Sequence, residues 1–316
     1  MGIFDHARPS DQAVSAPGEA SAKGRYVVKD QPAVAPALAA GLHIVATPIG
    51  NLRDMTLRGL EILAAADLIA CEDTRITRKL LGRYGICTPV TPYHDHNAAA
   101  VRPRLIRRLA EGAAIALVSD AGTPLVSDPG FKLVRAAQEA GLAVTTAPGP
   151  CAALAALTVS GIPADHFFFE GFLPAKSAQR RARIAALKDI PATLVLFETG
   201  PRITAALADL AGALGPRIAT VCRELTKLHE EMRRGELAIL ADQYAGGAET
   251  RGEFVIVIAP PADEAQSAPA DVDSLLRGAL DRLSVKDAVA EVAAVAGRPR
   301  RELYQRALAL AKERQR

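Results

Sequence analysis

The chain has 316 residues, 49% of them apolar and 23% charged, with 4% aromatic and no Trp. At roughly 100–200 residues per domain this suggests two compact domains with a small appendage, and it excludes wholesale disorder. Lys and Arg number 38 against 35 Asp and Glu, a formal net charge of +3 that neither demands nor excludes a polyanionic partner.

Residues 1–40, rich in Ala, Ser, Pro and Gly without periodicity, are expected to form a disordered leader. A first α/β domain is expected over residues 41–162. It opens with the apolar run Leu42–Ala46, which Thr47-Pro48-Ile49-Gly50-Asn51 stops. Thr56 then caps a helix carrying Leu57, Leu60, Ile62, Leu63 and Ala66, and Asp67–Cys71 reads as the second strand. Ala113–Val118 precedes a helix starting near Pro129, and Leu142–Ala147 precedes another at Pro150–Ser160. Strands alternating with helices of about 10–15 residues predict parallel βαβ units. Gly161-Ile162-Pro163 marks a boundary. A second α/β domain follows over residues 163–262, with strands at His166–Glu170, Thr193–Glu198, Arg217–Cys222 and Glu253–Ala259. After a polar linker, residues 271–316 are expected to form a helix-turn-helix-like tail. Its helices are Val272–Leu283, Lys286–Ala296 and Arg301–Glu313, with Gly297-Arg298-Pro299 between the last two.

Cys71, Cys87, Cys151 and Cys222 share no CxxC spacing, so reduced thiols in a cytoplasmic protein are expected. No run of about 18 apolar residues offers a membrane-spanning helix. The common nucleotide signatures are absent. Thr47–Asn51 does not supply a G-x-G-x-x-G after the first strand, and Ala175-Lys176-Ser177 lacks both glycines of a phosphate-binding loop. Instead, three Gly/Pro-rich loops stand at strand ends: Thr47–Asn51, Ser119-Asp120-Ala121-Gly122-Thr123-Pro124 and Ala147-Pro148-Gly149-Pro150-Cys151-Ala152. Ligands of open α/β sheets bind beyond the carboxyl ends of strands, where thin loops expose backbone N–H and C=O groups. None of the three contains Lys or Arg, which suits an uncharged or cationic nucleoside better than a polyphosphate.

Several long stretches in one order carry a resemblance. They include Thr47–Asn51, Cys71-Glu72-Asp73-Thr74-Arg75, Tyr93-His94-Asp95-His96-Asn97, Ser119–Pro124, Ser127-Asp128-Pro129-Gly130 and Pro148–Ala152. In the second domain Gly171-Phe172-Leu173-Pro174, Phe197-Glu198, Arg223-Glu224-Leu225-Thr226-Lys227 and Arg251-Gly252-Glu253-Phe254 continue the series. From about residue 42 to 260 the chain resembles the tetrapyrrole methylase-like class of S-adenosylmethionine-dependent methyltransferases. Within it the likeness is to the branch that methylates a cytidine ribose 2′-hydroxyl in 16S rRNA. Cys151 for the usual Ser, Asp95 for Glu, and Thr199-Gly200 after Glu198 depart from the family pattern.

The resemblance implies an α/β fold of two tetrapyrrole methylase-type domains with the cofactor cleft between them, plus a small C-terminal helical region. It places S-adenosyl-L-methionine against Pro48, Gly50, Asp120, Gly122, Thr123, Ser127, Pro150, Cys151 and Ala152, and against Leu225 and Thr226 of the second domain. The acceptor would be 16S rRNA or the small ribosomal subunit, and a homodimer is the family expectation. Methylating a hydroxyl calls for a general base or a cation that stabilises the developing alkoxide. Candidates are Glu72, Asp73 and Lys227. Glu72 or Asp73 could instead pair with Arg75 or cap the next helix, and Lys227 could be a phosphate contact or a desolvated base. His94 and His96 around Asp95 make at most half a metal site, so no metal is expected. Arg102, Arg104, Arg107 and Arg108 form one basic cluster, and Lys176, Arg180, Arg181, Arg183 and Lys188 another. The tail residues Arg298, Arg300, Arg301, Arg306, Lys312, Arg314 and Arg316 form a third, and all three fit phosphate contacts along structured RNA. Rival readings are a tetrapyrrole-type small-molecule methyltransferase and a non-catalytic RNA-binding assembly factor.

Overall fold

The computed structural model describes residues 23–126, 130–261, 272–296 and 299–313. Order begins before residue 41, which corrects the leader expected over 1–40; residues 1–22 of that leader lie outside the described residues. Strands β1 (Arg25–Val28) and β2 (Gln31–Val34) form an antiparallel hairpin. Its two turn residues, Lys29 and Asp30, both have positive φ, the geometry that matches the twist of a tight hairpin. Tyr26 is buried in the first lobe's core and Lys23 pairs with Asp67 at 2.5 Å. One aromatic anchor thus orders a segment whose composition is otherwise that of a linker.

The first lobe is a five-stranded, all-parallel sheet in the order β5-β4-β6-β3-β7. The strands are β3 (Gly41–Val45), β4 (Leu68–Cys71), β5 (Val90–Pro92), β6 (Ala114–Val118) and β7 (Val144–Ala147). Successive side chains point to opposite faces, so the apolar runs feed two cores. Val45, Ile69, Cys71, Ala116 and Val118 pack with Leu60 and Leu63 of α1 (Leu57–Ala65) and Leu80 and Leu81 of α2 (Thr74–Arg83). Leu42, Ile44, Leu68, Ala70, Ile115 and Leu117 pack with α3 (Ala98–Ala110) and α4 (Phe131–Glu139). As the sequence suggests, Thr56 caps α1, its side chain accepting from Gly59 N.

Helix α5 (Ala152–Ser160) ends at Gly161, whose φ of 65° provides the left-handed cap. Ala153, Ala156 and Leu157 of α5 pack on Val195, Cys222, Val255 and Val257 of the second lobe, so this helix fastens one lobe to the other. The second lobe contains β8 (Phe167–Phe172), α6 (Ser177–Leu187), β9 (Thr193–Thr199), α7 (Gly200–Leu214), β10 (Ile218–Arg223), β11 (Glu231–Glu236), α8 (Leu237–Ala245) and β12 (Glu253–Ile258). Its strand order is β11-β10-β12-β9-β8, with β8 and β9 parallel and the other neighbours antiparallel. Helices α6, α7 and α8 cover the other face through Ile184, Leu187, Ile203, Leu207, Leu237 and Leu240. The tail folds as α9 (Val272–Leu280), α10 (Val285–Ala296) and α11 (Arg300–Glu313) around Leu276, Val289, Val292, Leu303 and Leu310.

Candidate active site between the lobes

The three Gly/Pro loops leave neighbouring strands and are tied to one another. Thr47 and Gly122 exchange backbone hydrogen bonds of 2.8 and 3.0 Å, joining the loop after β3 to the loop after β6. The Thr123 hydroxyl donates to Pro150 O at 3.0 Å, joining the latter to the loop after β7. Gly122 has a φ of +80°, and a Cβ there would stand 3.3 Å from Ile49 and 3.7 Å from Pro150 O. Residues brought from three distant stretches of chain thus make one rigid wall. The Ser127 expected on it lies outside the described residues.

The opposite wall is the loop after β10. Thr226 there has a φ of +67°, a conformation that a β-branched residue adopts only when its surroundings enforce it. Thr226 N donates to Glu230 at 2.6 Å and Lys227 N to Glu224 O at 3.0 Å, while Asn51 N of the first lobe donates to the Thr226 hydroxyl at 3.2 Å. Gly50 meets this loop so closely that a Cβ would lie 2.4 Å from Lys227 Cγ and 2.9 Å from Thr226 Oγ1. The Lys227 ammonium lies 2.9 Å from Glu224 Oε1 and 2.7 Å from Glu253 Oε2. Burial alone would lower its pKa; the hydrogen bonds it donates to Glu253 and Glu224 outweigh that and hold it above the ordinary lysine value. Lys227 is therefore an ammonium at neutral pH. The desolvated-base reading left open by the sequence gives way to that of a fixed cation.

Two chambers adjoin between these walls. The larger, about 740 Å³, is lined by Pro48, Gly50, Ile76, Leu80 and Asp120 among others. Small-molecule pockets usually span about 300–1,000 Å³. The smaller, about 240 Å³, is lined by Gly122, Thr123, Cys151, Ala152 and Leu225 together with Phe172, Phe197 and Glu198. Ile49, Ala121, Lys227 and Glu253 line both chambers. Of the expected cofactor contacts, Pro150 and Thr226 enter through the hydrogen bonds just described. These residues fit S-adenosylmethionine. The walls are largely apolar, which suits adenosine, and Asp120, Glu198 and Glu253 beside Lys227, with no phosphate-binding loop, suit a cationic sulfonium better than a polyphosphate. Burial pushes the Asp120 and Glu198 carboxyls above their ordinary values, and Glu198 Oε2 has no hydrogen-bond partner among the described residues. Cys151 heads α5 without a side-chain cap hydrogen bond among the described residues, as its thiol suggests.

Glu72 and Asp73 line a separate cleft with Arg75, His94, His96 and Asp120, from which Lys227 is absent. Asp73 takes the capping role that the sequence left open. It accepts from Arg75 N at 2.8 Å and pairs with the Arg75 guanidinium at 2.6 Å. The side-chain hydrogen bond from Arg75 lowers its carboxyl to about 2, too acidic for an effective base near neutral pH. Asp73 N in turn donates to Asp120 Oδ1 at 2.9 Å. Asn97 does not cap α3 with its side chain; its Oδ1 accepts from His94 N at 2.9 Å. No group of three His, Cys, Asp or Glu residues with metal-binding geometry occurs among the described residues.

Glu198, Glu224 and Glu253 were not among the site residues expected from sequence. All three sit in or beside matched stretches, but a charge at a strand end carries no local sign of its long-range partner. Three members of the basic clusters are paired within the fold. Arg180 is buried against Asp209 at 2.6 Å, and Arg183 makes two hydrogen bonds to Glu170. Arg306 of the tail pairs with Asp273. Lys176, Arg181, Lys188, Arg104, Arg107 and Arg108 are exposed. No helix among the described residues is long and apolar enough to cross a membrane.

The tetrapyrrole (corrin/porphyrin) methylase family matches residues 41–241, and the RsmI C-terminal HTH domain family matches residues 266–311. Among curated relatives, the ribosomal RNA small subunit methyltransferase I of Mesorhizobium japonicum is 51% identical over 270 residues, covering 85% of this chain and 92% of its own. The protein of the same name from Xylella fastidiosa is 48% identical, covering 83% and 97%. Among solved structures, a uroporphyrin-III-C-methyltransferase from Thermus thermophilus shares the fold at a TM-score of 0.51 and 21% identity, over 70% of this chain and 94% of that one. The chain belongs to the tetrapyrrole methylase family, in the branch formed by the ribosomal RNA small subunit methyltransferases I.

Proposed function

We propose that this protein transfers the methyl group of S-adenosylmethionine to the ribose 2′-hydroxyl of a cytidine in 16S rRNA, in the cytoplasm. The observation that carries this reading is the inter-lobe cleft, where three loops without cations face a strained loop holding one paired ammonium. When bound, S-adenosylmethionine supplies an electrophilic methyl group on a sulfonium. The protein positions the acceptor oxygen in line with it, and orientation of this kind can supply about 7–11 kcal/mol. Lys227 would stabilise the negative charge growing on that oxygen as its proton passes to water, while Glu224 and Glu253 fix where the ammonium points. The loops around Gly122 and Pro150 would hold the adenosine by backbone groups, and Leu225 would cover it from the second lobe.

The test is incubation with labelled S-adenosylmethionine and small ribosomal subunits from cells lacking the protein. Label in a 16S cytidine ribose is expected. Label only in a tetrapyrrole substrate, or no transfer, would refute the reading in favour of a small-molecule enzyme or a non-catalytic assembly factor. A homodimer belongs to the same proposal. Leu228, Met232 and Ile239 are exposed on the second lobe and are apolar side chains such an interface would cover. A monomer mass by light scattering would remove this part.

A further inference from the structure

The tail carries more basic residues than its ion pairs use. Arg306 is held by Asp273, and Arg282 by Glu291 at 3.1 Å. Lys286, Arg300 and Arg301 instead line a groove of about 440 Å³ between α10 and α11. All three are exposed, and no acidic partner pairs with them among the described residues. One carboxylate lines the groove, that of Asp287, and it is occupied: it accepts from the Ser284 hydroxyl at 2.6 Å while Asp287 N donates back to the same hydroxyl at 3.3 Å. These bonds hold the Asp287 carboxylate at the start of α10, and none of the three cations pairs with it among the described residues. The floor is Val289 and Ala290, and Tyr304 and Gln305 stand beside the two arginines on α11. Tyr304 is 44% exposed, a large ring kept at the surface of a small helical unit.

Three unpaired cations around one exposed ring match a chemistry that neither a protein surface nor a duplex alone supplies. Arginine and lysine take backbone phosphates, and an exposed aromatic ring takes a base that has left its stack. Arg300 and Arg301 occupy the first turn of α11, where the helix dipole adds to their attraction for an anion. The ring lies one turn along, so a base stacked on it would sit beside the phosphates those arginines hold. We propose that this groove docks a non-paired stretch of RNA, with backbone phosphates on Lys286, Arg300 and Arg301 and one base stacked on Tyr304. The inference rests on ribosomal RNA being the substrate, and adds where the tail grips it.

The experiment compares the full chain with Arg300→Ala/Arg301→Ala, Tyr304→Ala and Tyr304→Phe. It measures binding to naked 16S rRNA and to assembled small subunits across a salt series, with S-adenosylhomocysteine affinity as the control for folding. The double arginine variant is expected to flatten the dependence of log affinity on log salt by about 1.4, at about 0.7 per lost single-strand phosphate contact. Tyr304→Ala is expected to weaken RNA binding about 5- to 150-fold, the equivalent of one lost stacked base, and Tyr304→Phe to restore it. All variants should bind S-adenosylhomocysteine as the parent does. Unchanged RNA affinity and salt slope in the arginine variant overturn the proposal while leaving the methyl-transfer reading intact. Loss of binding to assembled subunits alone means a ribosomal protein fills the groove, which also overturns it. A parent chain that methylates no RNA refutes the function itself.

Discussion

Replacing Lys227 by Met keeps the aliphatic stem and removes only the charge. Two different costs follow. The Lys227 and Glu224 side chains are 13% and 10% exposed, so this pair is nearly buried, whereas Glu253 is 78% exposed. Breaking a buried pair costs about 3–5 kcal/mol because a charge is left without its partner, while an exposed pair contributes about 0–1 kcal/mol. Glu224 keeps the hydrogen bond from Glu253 N at 2.9 Å, which offsets part of the loss. About 2 kcal/mol of stability should therefore go. Turnover should fall about 100- to 1,000-fold, the usual effect of deleting one preorganised stabiliser of a developing oxyanion. The two effects separate in the double variant Lys227→Met/Glu224→Gln, which removes the stranded carboxylate. There the stability should largely return and the turnover should not. Single-turnover transfer, S-adenosylhomocysteine affinity and chemical denaturation read the three quantities. Recovery of turnover in the double variant, or a loss of cofactor affinity as large as the loss of turnover, would refute the role given to Lys227.

Gly252 has a φ of +111°, and a Cβ there would lie 2.6 Å from Glu224 Oε1; Gly252→Ala should expel that carboxylate and lower turnover at least tenfold without weakening S-adenosylhomocysteine binding by as much. The pH dependence follows from two groups of opposite sign. Asp73 has its carboxyl depressed to about 2 by Arg75, so what the pair contributes is present above the ordinary 3.8 and is lost as the pH falls toward 2; an acid titration of Asp73→Asn should lack that loss. Lys227 is raised above its ordinary 10.5, so its ion pairs persist through neutrality and are lost only as the pH rises past that region; a rising limb in the rate near pH 7 that disappears in Lys227→Met would contradict this. Tyr26→Ala should cost about 3 kcal/mol by emptying a core site, and an unchanged denaturation midpoint would show that the hairpin is dispensable.

The first lobe was legible except for β5, because its other strands are short apolar runs and Thr56 announces its helix; Val90-Thr91-Pro92 is too short and too polar to read as a strand. The second lobe was legible in part. Strand β11 reads Glu-Met-Arg-Arg-Gly-Glu, a charged edge strand whose alternate residues are half-buried, and nothing in its composition separates it from a loop. The β1–β2 hairpin was missed because one buried Tyr26 among Ala and Pro carries too little local signal. In the site, the loops were legible as backbone devices, since Gly and Pro mark their own geometry. The charges were not. Glu253 lies 26 residues from Lys227 and reaches it only because β10 and β12 pair, and Arg180 reads as a phosphate contact until its burial against Asp209 is seen. A charge declares its partner only through the fold.

That separation of charges bears on how one molecule handles a cationic donor and a polyanionic acceptor. Lining the cleft, Asp120, Glu198 and Glu253 outnumber the lysines Lys79 and Lys227, while exposed arginines and lysines lie on α3, α6 and the tail. A carboxylate kept from water, as burial keeps Asp120 and Glu198, is ionised at a cost that a sulfonium nearby would relieve. Transfer of the methyl group would turn the sulfonium into a neutral thioether, and the carboxylates would then lose that counter-charge, Glu198 keeping its pair with Arg202 at 3.2 Å. The cleft should accordingly favour the charged donor over its spent product, and the preference should narrow when Glu198 is replaced by Gln. On the proposed function, the exposed cations outside the cleft would set affinity for the RNA acceptor without entering the chemical step.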